Sequence, residues 1–131
     1  MVNLIVIAHA EIANSFITTV EHILSKRVSN LHVLAVKKTE DAESFLIKAT
    51  TFIKTIAKDG EVLLLSDLFG ATPTNIAQKL VEHGKVELIT GLNLPMLIRA
   101  ISYAKLGLKS CIEKALDGAT GGVIHISGVS K

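Results

Sequence analysis

Apolar and polar positions along the chain fall into two rhythms, one of strands and one of helices. Val2-Asn3-Leu4-Ile5-Val6-Ile7-Ala8 is a nearly unbroken apolar run of strand length, and His9-Ala10-Glu11 follows at once. From near Ile12, the residues Ala13, Phe16, Ile17, Val20, Ile23 and Leu24 recur at helical spacing to about Lys26. Ser29-Asn30 turns the chain into a second strand, Leu31 to Val36. Thr39 is a good N-cap, with Glu40, Asp41 and Glu43 in the first turn. The helix it opens is expected to bury Ala42, Phe45, Leu46, Ala49, Phe52, Ile53 and Ile56, and Asp59-Gly60 ends it. Glu61 to Ser66 is a third strand, nearly continuous in apolar character, as a strand covered on both faces should be.

Thr72 next reads as an N-cap with Pro73 at the first helical position, where a missing N–H costs nothing. That helix buries Ile76, Ala77, Leu80 and Val81 and closes at Gly84. Val86 to Thr90 is a fourth strand. Asn93 caps a helix carrying Met96, Leu97, Ala100 and Ile101 that stops by Gly107. A last helix runs from about Leu108 to Leu116, and after Gly118, Gly121 and Gly122 a short terminal strand spans Val123 to Ser127. Strands alternating with helices predict an α/β fold, an open doubly wound sheet of four parallel strands with helices on both faces.

Composition narrows the class. The 131 residues fit one domain, 1–131, large enough to bury a core without disulfides or metal. No apolar run approaches the roughly 20 residues that span a bilayer, and the N-terminus reads as a first strand, not a signal peptide. The expected location is the cytoplasm, which suits the lone Cys111. A net charge of +2 without a basic block, and four Phe with no Trp, argue against nucleic-acid binding. No His or Cys has metal-like spacing, so neither a metal nor another cofactor is expected.

The candidate chemistry gathers where strands end, because ligands in open α/β sheets bind at strand carboxyl ends. The turns after strands one, three and four carry His9, then Asp67 with Thr72, then Asn93. Imidazole is nucleophilic and titrates near neutrality, and a carboxylate accepting its Nδ1–H leaves the reactive lone pair on Nε2. The helix opening at Thr72-Pro73-Thr74-Asn75 offers free N–H groups of the kind that bind phosphate. A nucleophile, an orienting acid and an anion cradle suit transient phosphorylation of His9 better than hydrolysis. Asp67 cuts both ways, since its charge also repels an incoming phosphoryl group.

Three segments together resemble the mannose-family enzyme IIA of the bacterial phosphoenolpyruvate-dependent sugar phosphotransferase system. They are His9-Ala10, Asp67-Leu68-Phe69-Gly70-Ala71-Thr72-Pro73-Thr74-Asn75, and Gly91-Leu92-Asn93-Leu94-Pro95-Met96-Leu97. The resemblance covers essentially the whole chain. It implies a phosphotransferase component that takes phosphate from phospho-HPr onto Nε2 of His9 and passes it to a IIB protein for sugar uptake. It implies that Asp67 positions the ring and that the Thr72 hydroxyl lies near the site; Thr74 and Asn75, on the same helix N-terminus, complete the expected phosphate-binding turn. It also implies a homodimer that exchanges the C-terminal strand Val123 to Ser127, expected antiparallel to its neighbour, and contact with the membrane only through a permease complex.

Two positions depart from the family pattern. Ala10 stands where Gly is common, and Ala71 replaces the second glycine of the usual turn, which tests whether that turn needs a positive φ. The chain has no IIB segment, so the acceptor is expected to be a separate protein. A stand-alone regulatory phosphocarrier uses the same site. A phosphocarrier feeding dihydroxyacetone kinase shares the fold and the first-strand histidine, but that branch generally lacks the Thr72-Pro73-Thr74-Asn75 turn. A nucleotide-binding flavodoxin-like module would need a glycine-rich loop after the first strand, which His9-Ala10-Glu11-Ile12-Ala13 is not. Among the other polar residues, His22 and His83 read as solvated, the latter at a helix end. His32 and His125 read as edge or paired residues and Cys111 as core.

Overall fold

The computed structural model describes residues 1–58 and 60–129. Four strands, β1 (Asn3–His9), β2 (Leu31–Val36), β3 (Val62–Ser66) and β4 (Val86–Ile89), form one sheet in the order β2-β1-β3-β4. Every pairing between them is parallel. Five α-helices connect and cover them: α1 (Ala10–Leu24), α2 (Ala42–Ala57), α3 (Thr72–Gln78), α4 (Leu94–Tyr103) and α5 (Leu108–Gly121). The expected doubly wound α/β sheet is what forms.

Period-two alternation divides β1 and β3 between two cores. Leu4, Val6, Ala8, Leu63 and Leu65 pack with residues of α1, α4 and α5. Ile5, Ile7, Val62 and Leu64 face the opposite way, against Phe45 and Ala49 of α2 and Ile76 and Ala77 of α3. All nine of these strand residues are fully buried. Cys111 belongs to the first core, and burial, with the nearby Glu61 charge, pushes its thiol up to about 11, so it stays protonated as a small apolar filler.

Several boundaries differ from the sequence expectation, each for a local reason. The N-cap of α2 is Asp41 and not Thr39, because its carboxylate accepts both the Ser44 N–H (3.0 Å) and the Ser44 hydroxyl (2.8 Å). Asp59, expected to help close α2, lies outside the described residues. Thr72 is the first residue of α3 and not its cap; Ala71 takes the cap position and makes no side-chain bond there. The helix α3 ends at Gln78, not near Gly84. Beyond it, Glu82 and Val86 exchange two backbone hydrogen bonds of 2.8 Å around Gly84 at φ +74°, a turn that pulls the chain straight into β4. Val81 is therefore 41% exposed, and His83 sits in this turn, with His22 instead occupying a helix's last turn, that of α1.

The helix α5 continues through Gly118 to Gly121, five residues past the expected end. A Cβ on Gly118 would stand 2.8 Å from the Pro95 carbonyl oxygen, and one on Gly122 would press into the Pro95 ring. Gly118 and Gly122 let α4 and α5 pack closely. Gly118→Ala should therefore cost about 1–3 kcal/mol, the range for overpacking. Gly121→Ala, with nothing within 4 Å, should be neutral or stabilising by up to ~1 kcal/mol. Urea midpoints of the two variants check this pair.

No strand forms at Val123–Ser127 within the single chain. That segment follows α5 without regular structure through Val129, with Val123, Ile124 and Ile126 exposed by 74%, 71% and 84%. His125 lies on it, exposed. His32, on the edge strand β2, is paired as expected: its Nε2 bonds to Asn3 Oδ1 (3.2 Å) and its ring meets Phe52 edge-on. Burial lowers the His32 pKa below its ordinary 6.5. The stability this environment supports is full above pH 6.5 and falls as pH drops through the lowered folded value. His32→Gln should remove that part of the acid sensitivity, read from urea midpoints between pH 7 and pH 5.

Candidate active site

The strand β1 runs without a loop into α1, and His9 is both the last residue of the strand and the N-cap of the helix. Its side chain makes no cap bond to that helix, which leaves the imidazole free to serve elsewhere. The partner comes from β3. Because β1 pairs directly with β3, Ile7 lies opposite Ser66, and Asp67 emerges beside His9. Asp67 Oδ2 accepts two hydrogen bonds from the same residue, one from the His9 backbone N–H (3.0 Å) and one at ring Nδ1 (2.5 Å). Oδ1 accepts the N–H of Leu68 (2.9 Å).

This double grip fixes the chemistry of the ring. A carboxylate bonded to Nδ1 requires the proton there, so Nε2 carries the lone pair. The His9 side chain is 52% exposed and that of Asp67 only 11%. Burial pushes the Asp67 carboxyl up, but the His9 ring and amide bonds outweigh it and hold the pKa below its ordinary 3.8. Asp67 is thus a fixed negative charge at neutral pH. The stability from this arrangement is full above pH 3.8 and is lost as pH falls through the lowered folded value.

A buried network holds the turn that carries Asp67. Thr74 Oγ1 donates to the Leu68 carbonyl (2.6 Å) and lies 2.8 Å from Ser66 Oγ. A hydroxyl has one proton, so Thr74 spends its own on Leu68 and the Ser66 hydroxyl donates to Thr74. The Leu68 carbonyl also accepts the Ala71 N–H (3.2 Å). Thr74 is fully buried, so its hydroxyl braces the turn and does not face a phosphate as expected from sequence. Thr74→Val should destabilise the fold by about 1–3 kcal/mol by stranding Ser66, whereas Thr74→Ser should retain most stability; thermal unfolding checks both. Thr72 and Asn75 are exposed on the first turns of α3.

Both departures from the family pattern fit the backbone. The positive φ of the turn falls at Gly70 (+88°), while Ala71 is extended at φ −85°. Ala10 is the first residue of α1, a position that suits alanine. Asn93 caps α4 through Met96 N–H (2.8 Å) and reaches the Ala119 carbonyl (3.4 Å), so it ties helices together and does not enter the site.

Three features were not anticipated from the sequence. The N-terminus of the 15-residue helix α1 starts directly at His9, a longer dipole than that of the seven-residue α3. Leu68 and Phe69 lie on the Asp67 turn with 61% and 72% exposure, an apolar surface beside a polar centre. On the other flank, His9 is paired with Val36 of β2, and a groove of about 510 Å³ is lined by His9 together with Glu11, Lys37 and Lys38. The first follows from the missing loop after β1; the third requires knowing that β2 neighbours β1.

Fold and site define a class, that of small parallel α/β domains exposing a carboxylate-held histidine at the strand tips. The EIIA-man family, described as "PTS system fructose IIA component", matches residues 3–116, and the chain belongs to this family. It is 32% identical over 87 residues to the fructose-specific EIIA component of the phosphotransferase system of Bacillus subtilis, a stretch covering 65% of this chain and 60% of that protein. It is 32% identical over 96 residues to the sorbose-specific EIIA component of Lacticaseibacillus casei, covering 72% and 68%. The mannose/sorbose-specific IIA subunit from Enterococcus faecalis has the same fold, with a TM-score of 0.86 at 19% identity over 98% of this chain and 97% of that one. Among the described residues, no helix is long and apolar enough to cross a membrane.

Proposed function

We propose that the chain is a cytoplasmic phosphoryl carrier that accepts phosphate from phospho-HPr on Nε2 of His9 and passes it to a separate IIB protein during sugar uptake. The observation that carries this reading is the pair of hydrogen bonds that Asp67 Oδ2 accepts from the His9 backbone N–H and ring Nδ1, which presents Nε2 to solvent as a lone-pair donor. In the step, the Nε2 lone pair forms a bond to phosphorus as the bond from phosphorus to the donor's ring nitrogen breaks, and that ring leaves as neutral imidazole. The His9 ring becomes a phosphoimidazolium that keeps its Nδ1–H, and the Asp67 charge stabilises it. No proton needs to move.

Other features support the same reading. The exposed Leu68 and Phe69 give a protein partner apolar area to bury beside the reacting atom. Thr72, exposed at the start of α3, can donate its hydroxyl to a phosphoryl oxygen, with Asn75 one turn on. The unpaired apolar tail after α5 supports a homodimer in which Val123 to Ser127 pairs with the other subunit. Relatives of equal identity are named for fructose and for sorbose, which fits sugar choice residing in the membrane components.

The test is incubation with phosphoenolpyruvate, enzyme I and HPr, followed by addition of a IIB protein. Acid-labile, base-stable label on the chain that then chases to IIB is the expected result. No label removes the carrier reading; label that chases only to a dihydroxyacetone kinase redirects it.

A further inference from the structure

A fixed carboxylate beside a phosphoryl acceptor poses an electrostatic problem that Asp67 alone makes worse. Glu11, on the first turn of α1, lines the same groove and adds a second negative charge. An incoming phosphoryl group brings up to two more. The helix N-termini at the site, that of α1 at His9 and that of the seven-residue α3, each offer only about half a positive charge, so they offset part of this and full counter-charge needs cations.

The β1–β2 register provides them. His9 is the Cα partner of Val36, so the two residues that follow, Lys37 and Lys38, leave the sheet at the mouth of the groove that His9 lines. A hydrogen bond from the Glu40 N–H to the Lys37 carbonyl (3.1 Å) closes a turn there and keeps the chain from carrying the lysines away. Both side chains are exposed, and neither has a carboxylate within 4.0 Å among the described residues. The acidic neighbours in sequence are Glu40, half-buried in the same turn, and the exposed Asp41, whose carboxylate is taken up by the Ser44 N–H and hydroxyl at the start of α2.

We propose that Lys37 and Lys38 form a phosphoryl-binding wall of the His9 site, drawing the anionic group into the groove and holding its oxygens while the bond to Nε2 forms or breaks. This rests on His9 being the phosphoryl acceptor. Two ammonium groups match the two charges of a phosphoryl dianion and answer the repulsion from Asp67 and Glu11. As flexible, exposed point charges they bind without a rigid cage, which suits a group that must leave again.

The test uses two donors, phospho-HPr and the small molecule phosphoramidate. The latter carries the phosphoryl group without any protein surface; its P–N bond breaks as Nε2 bonds phosphorus, and its nitrogen leaves as ammonia with one proton from solvent. Initial rates of His9 labelling are compared for the wild-type chain, a Lys37→Gln/Lys38→Gln double variant and a Lys37→Arg/Lys38→Arg double variant. The Gln variant should label about tenfold more slowly with both donors at low salt, and the gap should narrow in 0.5 M NaCl. The Arg variant should recover most of the rate. In phosphorus NMR titrations, the phosphoryl group on His9 should ionise at higher pH in the Gln variant, because the dianion loses its counter-charges.

An unchanged phosphoramidate rate and an unchanged phosphoryl titration would overturn the proposal. A loss seen only with phospho-HPr would overturn it too, by making the lysines a protein-docking contact. A wild-type chain that takes no label from either donor would instead bring down the His9 reading beneath it, a result distinct from the other two.

Discussion

A His9→Ala chain is expected to fold normally and to take up no acid-labile phosphoryl label. The His9 ring is half-exposed and makes a single side-chain bond, to Asp67, while the backbone N–H that also binds Asp67 survives the substitution. The stability change should therefore stay within about 1 kcal/mol. The loss of label should be complete, because exposure alone does not make an acceptor. His83 is fully exposed, yet its Nδ1 lies 3.8 Å from Glu87 Oε1, beyond hydrogen-bond range. Its tautomer is left unfixed. Labelling of His9→Ala at the wild-type level would overturn the assignment.

Asp67→Asn is expected to slow labelling by roughly two to four orders of magnitude, the range for losing an orienting carboxylate or a proton-handling partner. The reason is specific to this site. Both carboxylate oxygens of Asp67 face N–H donors, Leu68 at Oδ1 and His9 at Oδ2. An amide has only one oxygen, so it must turn its NH2 group toward one of them. If it faces Leu68, the turn loses a bond; if it faces His9, the backbone N–H is stranded and the ring is driven to the wrong tautomer. In either orientation the negative charge that stabilises the phosphoimidazolium is gone. Labelling rates with phospho-HPr measure the effect, and circular dichroism shows whether the fold survives. A rate within threefold of wild type would mean that Asp67 does not orient His9.

Much of this molecule is legible in its sequence. The four strands fall where apolar runs of strand length predict them, because a buried parallel strand has no polar face and so leaves an unmistakable run. The cap of α4 at Asn93 is equally legible, since its side-chain Oδ1 needs only the N–H three residues on. Helix boundaries were harder to read where a neighbour decided them. Asp41 displaced Thr39 as a cap because Ser44 offers it two donors, and Val86 drew Glu82 out of α3. Gly118 does not end α5, because its lack of a Cβ answers to Pro95 and Arg99 across the helix pair, not to its own helix.

The same division holds for the site. Sequence alone determined the chemical inventory, a histidine at one strand tip and an aspartate at another, since strand ends follow from local apolar patterning. It could not determine that β3 lies beside β1, or that β2 flanks it on the other side, because strand order is set by packing between segments far apart in the chain. That order is what puts Asp67 within bonding distance of Nδ1 and Lys37 and Lys38 at the mouth of the groove. It also turned Thr74 inward, where its single hydroxyl proton goes to Leu68 and not to a ligand. Local spacing names the reactive groups; long-range pairing decides which of them meet.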